Sequence, residues 1–170
     1  MQLSSAERDA WLRLDDAALL KQCRQERYRS SGPGGQRRNK VETAIRLHHL
    51  PSGLSAQSDD SRYLAENATR ALRRLRDRIA LELRAPFHLE SPEVPRELAA
   101  QRGPKGTLAI NPRNSAYPIV LATVLDALAA ADGSYAKAAR ALGITTSQLL
   151  RFLRADPQAW RAAEKVRRRE

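Results

Sequence analysis

The sequence predicts an α+β chain in three parts. Residues 1–85 form a small domain of a short helix, β-strands and a long basic helix. Residues 86–111 form a Pro/Gly-rich linker, and residues 112–170 form a small all-α, helix-turn-helix-like domain with a basic C-terminus. Three observations carry this prediction. Ile45 and Leu47 flank Arg46 with the period of a strand, and Leu64, Ala68, Leu72, Leu75, Ile79 and Leu83 recur with the period of a helix. After Ala85 the composition turns to proline and glycine, before Ile119, Val120, Val124, Leu125 and Leu128 open a second helical apolar face.

Each element has its own local reason. The run Asp15-Asp16-Ala17-Ala18-Leu19-Leu20-Lys21-Gln22-Cys23 starts with carboxylates and continues with good helix formers, so it reads as a short helix. The mixed polar and larger residues from Arg24 to Arg29 then read as a strand. Ser30-Ser31-Gly32-Pro33-Gly34-Gly35-Gln36 excludes regular structure and is expected to be a loop. Ala44 to Leu50 returns as a strand, Pro51-Ser52-Gly53 turns the chain, and Leu54 to Ser58 completes a hairpin. The long helix from Ser61 onward is expected to pack on that hairpin, with Arg70, Arg73, Arg74 and Arg78 on the rest of its surface. Asp59 and Asp60 are expected at its start, where carboxylates favour the positive end of the helix dipole. Pro86, Pro92, Pro95, Pro104 and Pro112, with Arg102-Gly103-Pro104-Lys105-Gly106, mark the linker.

Lysine and arginine number 30 against 19 acidic residues, a formal charge of +11. Such a surplus points to a polyanionic partner, with nucleic acid ahead of an anionic membrane. No apolar run approaches the roughly 18–20 residues that a bilayer requires, and Met1 to Arg13 carries no apolar signal-peptide core. A cytoplasmic protein with no membrane partner is the expectation. Cys23 is the sole cysteine, which excludes an internal disulfide; it is expected as a half-buried helix residue. His48, His49 and His88 lack any metal-ligand spacing, and Cys23 with His48 or His49 lacks an orienting acid, so no metal and no cofactor are expected.

In the last part of the chain, Ala139, Gly143 and Leu149 supply a small helix contact, a turn glycine and an apolar residue in the next helix. Ala138, Leu142, Ile144 and Phe152 fill core positions around them. These are the demands of a helix-turn-helix. Thr145 and Gln148 supply a capping box for its second helix. Thr146, Ser147, Arg151 and Arg154 are the candidate nucleic-acid contacts, and a three-helix bundle that binds nothing fits the same spacing.

A bare Gly34-Gly35-Gln36 marks only a backbone that can approach another surface closely. Its flanks carry more. They read Arg29-Ser30-Ser31-Gly32-Pro33 before it, then Asn39-Lys40, Glu42-Thr43-Ala44-Ile45-Arg46-Leu47, His49-Leu50-Pro51-Ser52-Gly53, Asp60-Ser61-Arg62 and Asn67 after it. This run resembles the catalytic domain of class I peptide chain release factors and their ribosome-rescue relatives, over about residues 15 to 85. It departs from that pattern at Arg37, Arg38, Tyr63 and Leu64.

The resemblance implies a small α+β domain that reaches the ribosomal peptidyl transferase centre and promotes hydrolysis of the ester joining the nascent peptide to transfer RNA. Gly34, Gly35 and Gln36 would be catalytic. Arg29, Arg37, Arg38 and Lys40, with Arg73 and Arg74 on the basic helix, would contact RNA. The implied partners are ribosomal RNA and peptidyl-tRNA. Only 28 residues precede Arg29, too few for a codon-reading domain, so codon-independent rescue of stalled or damaged ribosomes is the expected role. The helical domain is expected to replace the basic tail that rescue relatives often carry. A non-catalytic ribosome-, RNA- or DNA-binding protein acting through the helix-turn-helix is the alternative.

Overall fold

The computed structural model describes residues 4–29 and 42–168. The chain starts with two short helices, each opened by a side chain that accepts from an otherwise unpaired backbone N–H. Ser4 Oγ accepts from Glu7 at 3.1 Å ahead of α1 (Ser5–Arg13), and Asp15 Oδ1 accepts from Ala18 at 2.7 Å ahead of α2 (Asp16–Lys21). Three antiparallel strands follow in the order β1 (Cys23–Tyr28), β2 (Ala44–His49) and β3 (Ser55–Ser58). Cys23 is half-buried, but it opens β1 instead of ending the helix, because the helix closes at Lys21 and Gln22 caps it. The tight turn after β2 is closed by Gly53 N–H donating to the His49 carbonyl at 2.9 Å and by His49 N–H donating to Leu54 at 2.8 Å.

The long helix α3 spans Leu64–Glu82. It begins four residues beyond Asp60, which is not part of its first turn: Asp60 instead accepts from Ser58 Oγ at 2.9 Å and from Arg74 at 2.7 Å. These local bonds hold the Asp60 carboxyl below its ordinary range, with the Ser58 hydroxyl as the leading cause.

Contacts divide the chain into two compact units, Arg13–Ile79 and a second made of the chain up to Leu12 together with everything from Ala80 onward. In the first, Ile45, Leu47 and Ala56 on the sheet and Ala71, Leu72, Leu75 and Ile79 on α3 are buried and make the core. The alternation along β2 follows from strand geometry: Ile45, Leu47 and His49 are buried, while Arg46 and His48 between them are not.

The second unit is built around α5 (Tyr117–Ala130), whose residues from Tyr117 to Leu128 are all buried. A helix apolar on every side must be covered on every side. Here α4 (Arg96–Gln101), α6 (Tyr135–Leu142) and α8 (Pro157–Arg168) pack on it, and α7 (Thr146–Arg154) packs on α6 and α8. At 14 residues α5 is a core helix; no helix among the described residues is long and apolar enough to cross a membrane.

The first helix belongs to this second unit because of an ion network. Arg8, 1% exposed, donates to Asp126 at 2.5 Å and to the Leu83 carbonyl at 3.3 Å. Asp126 also accepts from the Ala85 backbone at 3.0 Å and from Arg84 at 3.3 Å. Burial lowers Arg84 to about 10, which leaves it cationic at neutral pH. The sequence-based boundary at residue 85 differs from the contact boundary at Ile79 for this reason: three ionic side chains far apart in sequence draw α1 and the end of α3 together.

Residues 86–111, expected from composition as a linker, are structured. After α4 comes a ribbon of β4 (Arg102–Gly103) and β5 (Thr107–Leu108), joined through a single 3-10 turn at Pro104–Gly106. Leu98 and Leu108 are buried and anchor it. Its partner is the turn between α6 and α7: Arg102 donates to the Leu142 carbonyl at 3.2 Å, and the Thr145 N–H donates to the Gly106 carbonyl at 3.0 Å. Proline and glycine here shape a tight ribbon and do not loosen the chain.

Candidate functional site

The site divides into a loop base, a basic helix face and a helical pair. Gly34, Gly35, Gln36, Arg37, Arg38 and Lys40 lie outside the described residues. The two strands that flank them are described. Antiparallel pairing runs from Cys23↔His49 to Tyr28↔Ala44, so β1 and β2 are laddered up to the residues next to the loop. Beyond the ladder, Arg29 Nε lies 3.6 Å from Glu42 Oε1, an exposed ion pair across the loop base. Arg29, expected to contact RNA, is therefore placed at the loop entrance and paired.

Asn67 ties this base to α3. It is fully buried, and all of its polar capacity is used. Its amide donates to the Thr43 carbonyl at 2.8 Å and to the Ser61 carbonyl at 2.7 Å, while its oxygen accepts from Ser61 N–H at 2.9 Å and Ser58 Oγ at 3.2 Å. A single side chain thus joins the start of β2, the end of β3 and the entry to α3. Only an amide has both two donors and an acceptor with two lone pairs at this length, which gives a physical account of the asparagine in the sequence run around the loop.

The outer face of the sheet is polar and cross-linked. Arg46 donates twice to Gln57 Oε1, at 3.1 and 3.0 Å, and its guanidinium lies 5.4 Å from the Tyr28 ring centre. Glu26 sits among His48 at 3.1 Å, Arg24 at 3.0 Å and Arg46 at 3.9 Å, and its carboxyl is held low, with His48 as the leading cause. On the inner face His49 is fully buried, with Nδ1 2.7 Å from Ser52 Oγ and Nε2 3.0 Å from Gln22 Oε1. Burial pushes its pKa down. The two histidines therefore face opposite ways and have local structural partners.

Along α3 the expected RNA-contacting arginines separate. Arg74 is engaged within the unit, donating to the Gln57 carbonyl at 2.8 Å and to Asp60 at 2.7 Å. Arg70 lies between Glu66 and Asp60, Arg76 between Asp16 and the Leu14 carbonyl, and Arg78 donates to the Ser55 carbonyl. Arg73 is exposed and has no polar partner among the described residues. Sequence periodicity identified the polar positions of the helix; it carried no information on which arginines brace the sheet.

In the second unit, the positions that spacing singled out are buried: Ala138, Ala139, Leu142, Ile144, Leu149 and Phe152. Gly143 closes α6 in the left-handed region, with φ 68°, where an L side chain is strained. Thr145 Oγ1 accepts from Gln148 N–H at 3.2 Å, which is half of the expected capping box. The other half is displaced, because the Thr145 N–H is taken by the Gly106 carbonyl of the ribbon. Thr146, Ser147, Arg151 and Arg154 are all exposed, and Ser147, Arg151 and Arg154 share one face of α7.

Sequence reasoning missed what lies beside Arg154. Its guanidinium sits 5.0 Å from the Trp160 ring centre; Trp160 stacks on Tyr135 at 6.3 Å and 11°, and Arg167 lies 5.4 Å from Tyr135. The partners are 6 to 32 residues apart in sequence, beyond any local periodicity. The only available sign was two aromatics in a stretch otherwise rich in cations.

Comparison with known proteins covers the loop-bearing unit and runs on through the ribbon. The RF-1 domain family model matches residues 19–108, more than half the chain. Peptide chain release factor 1 of Lacticaseibacillus casei is 46% identical over 59 residues, covering 35% of this chain and 16% of that protein. The Exiguobacterium peptide chain release factor 1 is 37% identical over 83 residues, covering 49% of this chain and 21% of its own length. Peptide chain release factor 2 of Neorickettsia sennetsu is 48% identical over 58 residues, covering 34% and 16%. The match thus spans about a fifth or less of each relative. The laddered loop base, its asparagine brace and the family match over the same residues agree, and the chain belongs to the RF-1 domain family.

Proposed function

We propose that this chain is a ribosome-dependent factor that hydrolyses the peptidyl-tRNA ester, through Gly34, Gly35 and Gln36, to free a nascent peptide. The observation that carries the reading is the family match, which spans this loop and the two strands that are paired up to its base. Water attack on the ester creates a tetrahedral oxyanion and then an alkoxide on the departing ribose, so a pre-aimed donor lowers the barrier. The Gln36 backbone N–H is that donor in this proposal. Its side-chain amide positions water and keeps larger nucleophiles out, and the two glycines let the backbone approach closely.

Arg37, Arg38, Lys40 and the exposed Arg73 contact ribosomal RNA through phosphates, which position without reading sequence. Arg29 and Arg74 serve first as braces, since both have partners within the chain. The release acts without a codon and serves stalled or damaged ribosomes in the cytoplasm. A helix-turn-helix formed by α6 and α7 anchors the chain on the ribosome. Its tight Gly143 turn, the burial of Ala139 and Leu149 and the packing of α6 on α7 support this part of the reading.

The test is release of labelled peptide from purified ribosome complexes with and without a codon in the decoding site. Release on both supports the proposal. Ribosome binding with no release on any complex would remove the hydrolytic reading, and release that required a stop codon would remove the codon-independent one.

A further inference from the structure

The cations of α7 and α8 are organised in a way that neither the loop nor the α6–α7 turn requires. Four groups form one continuous stack: Arg154 on Trp160, Trp160 on Tyr135, and Tyr135 under Arg167. A guanidinium held flat over a ring keeps its edge N–H groups pointing outward and loses little further freedom when it meets a phosphate. The stack is itself fixed. Tyr135 Oη donates to Glu164 at 2.7 Å and Arg167 lies 3.5 Å from the same carboxylate, so the charge of Glu164 is engaged within the stack. The α8 backbone at Arg167 sits against Gly133, where a Cβ would come within 2.9 Å of its Cα.

Beside the stack runs an open groove of about 430 Å³ on α8, lined by Trp160, Arg161, Glu164, Lys165 and Arg168. Arg161 and Lys165 are exposed one turn apart, and Lys165 has no polar partner among the described residues. Trp160 belongs to both stack and groove, which makes α7 and α8 one surface. The surface offers cations in a row and few groups that could read a base. Thr146 and Ser147 stand at the N-terminal end of α7, where a recognition helix contacts base edges, and the ribbon flanks that end through the Gly106–Thr145 bond.

We propose that the α7–α8 face is an RNA docking surface that grips the phosphate backbone of a folded or duplex RNA, with Arg154 and Arg167 pre-set on the Trp160–Tyr135 pair and Arg161 and Lys165 extending the row. A side-on row of cations suits RNA, whose deep, narrow major groove does not admit a reading helix. The choice of RNA over DNA rests also on the ribosomal role proposed above.

The experiment measures binding of the full chain to a short labelled RNA duplex of arbitrary sequence, with a DNA duplex of matched sequence and polyglutamate as the other arms. The combined Arg154→Gln, Arg161→Gln, Lys165→Gln variant is expected to bind RNA at least about tenfold more weakly and to lower the salt slope by about two to three. Thr146→Ala with Ser147→Ala changes affinity by less than about twofold, as expected for a surface that does not read bases. Trp160→Leu weakens binding although every charge remains, and Trp160→Phe restores it; unchanged helical circular dichroism and melting midpoint establish that each variant is folded. Native-like binding by the triple variant would overturn the proposal, as would equal or tighter binding of the DNA duplex or of polyglutamate. Because the readout is RNA binding and not release, a chain that binds as stated but frees no peptide keeps this surface and loses the hydrolytic reading, and the opposite pair of results does the reverse.

Discussion

The two units use arginine in opposite ways. In Arg13–Ile79, Arg70, Arg74, Arg76 and Arg78 reach carboxylates and carbonyls of the same unit, so most of the cationic face of α3 is engaged within it. In the helical unit, buried Arg8 and half-buried Arg84 converge on Asp126, while Arg154 and Arg167 are laid on aromatic rings. A net charge of +11 therefore says that a polyanion is the expected partner but not where it is met. What separates a bracing arginine from a presenting one is the neighbour, and neighbours are a property of the fold.

The contrast can be broken at its strongest point first. Asp126→Ala takes the carboxylate from half-buried Arg84 and leaves buried Arg8 with Asp9 alone, 2.9 Å away, and is expected to destabilise the helical unit by about 2–3 kcal/mol. Chemical denaturation measures this, and hydrogen exchange should rise in α1 and α5. If the variant unfolded at the native midpoint, the network would be incidental to the unit.

Of similar size is Asn67→Ala in the loop-bearing unit. It orphans the Thr43 and Ser61 carbonyls and the Ser61 N–H, and is expected to cost about 2–3 kcal/mol. Exchange should rise at the β2 start and at the entry to α3, with the helical unit unaffected.

A pH dependence sharpens the comparison further, since His49 is the buried titratable group of the sheet unit. Its folded pKa lies below the ordinary value, so the unfolded chain binds the proton first as pH falls. The stability it contributes is complete above about pH 6.5 and is lost below that, at no more than about 1.4 kcal/mol per pH unit. Melting curves between about pH 7.5 and 5.5 should show this slope, and His49→Asn should remove it. Asp60 and Glu26, also held low, add their losses only at more acidic pH.

The smallest effect separates two adjacent arginines. Arg74→Gln is expected to lower stability by up to about 1 kcal/mol, because its ion pair with Asp60 is exposed, whereas Arg73→Gln leaves stability unchanged. Ribosome affinity should respond in the opposite order, measured by sedimentation with ribosomes at several salt concentrations.

The sequence was legible where a single period or a fixed backbone demand decided the outcome. β2 and α3 follow from Ile45, Leu47 and the Leu64–Ile79 stripe, and the α6–α7 turn follows from Gly143, which alone accepts the left-handed closure there. Pairings across long sequence separations were not legible. The Arg8–Asp126 bond, the Thr145–Gly106 bond that occupies half of the capping box, and the Trp160–Tyr135 stack each join segments with no shared period. The ribbon at 102–108 was misjudged as linker because proline and glycine have the same composition in a tight turn as in a flexible tether. Of the candidate site, the flanks of the triplet carried the family, whereas the division between bracing and presenting arginines needed the structure.

The central claim is that Gly34-Gly35-Gln36 frees peptide from peptidyl-tRNA on the ribosome. Its most direct measurement is the rate of peptide release from complexes with an empty decoding site, comparing the native chain with Gly35→Ala at equal ribosome occupancy. Because the proposed role of Gly35 depends on close backbone approach, a fall of about 10²-fold or more is expected with binding retained. Equal rates for the two chains would contradict it.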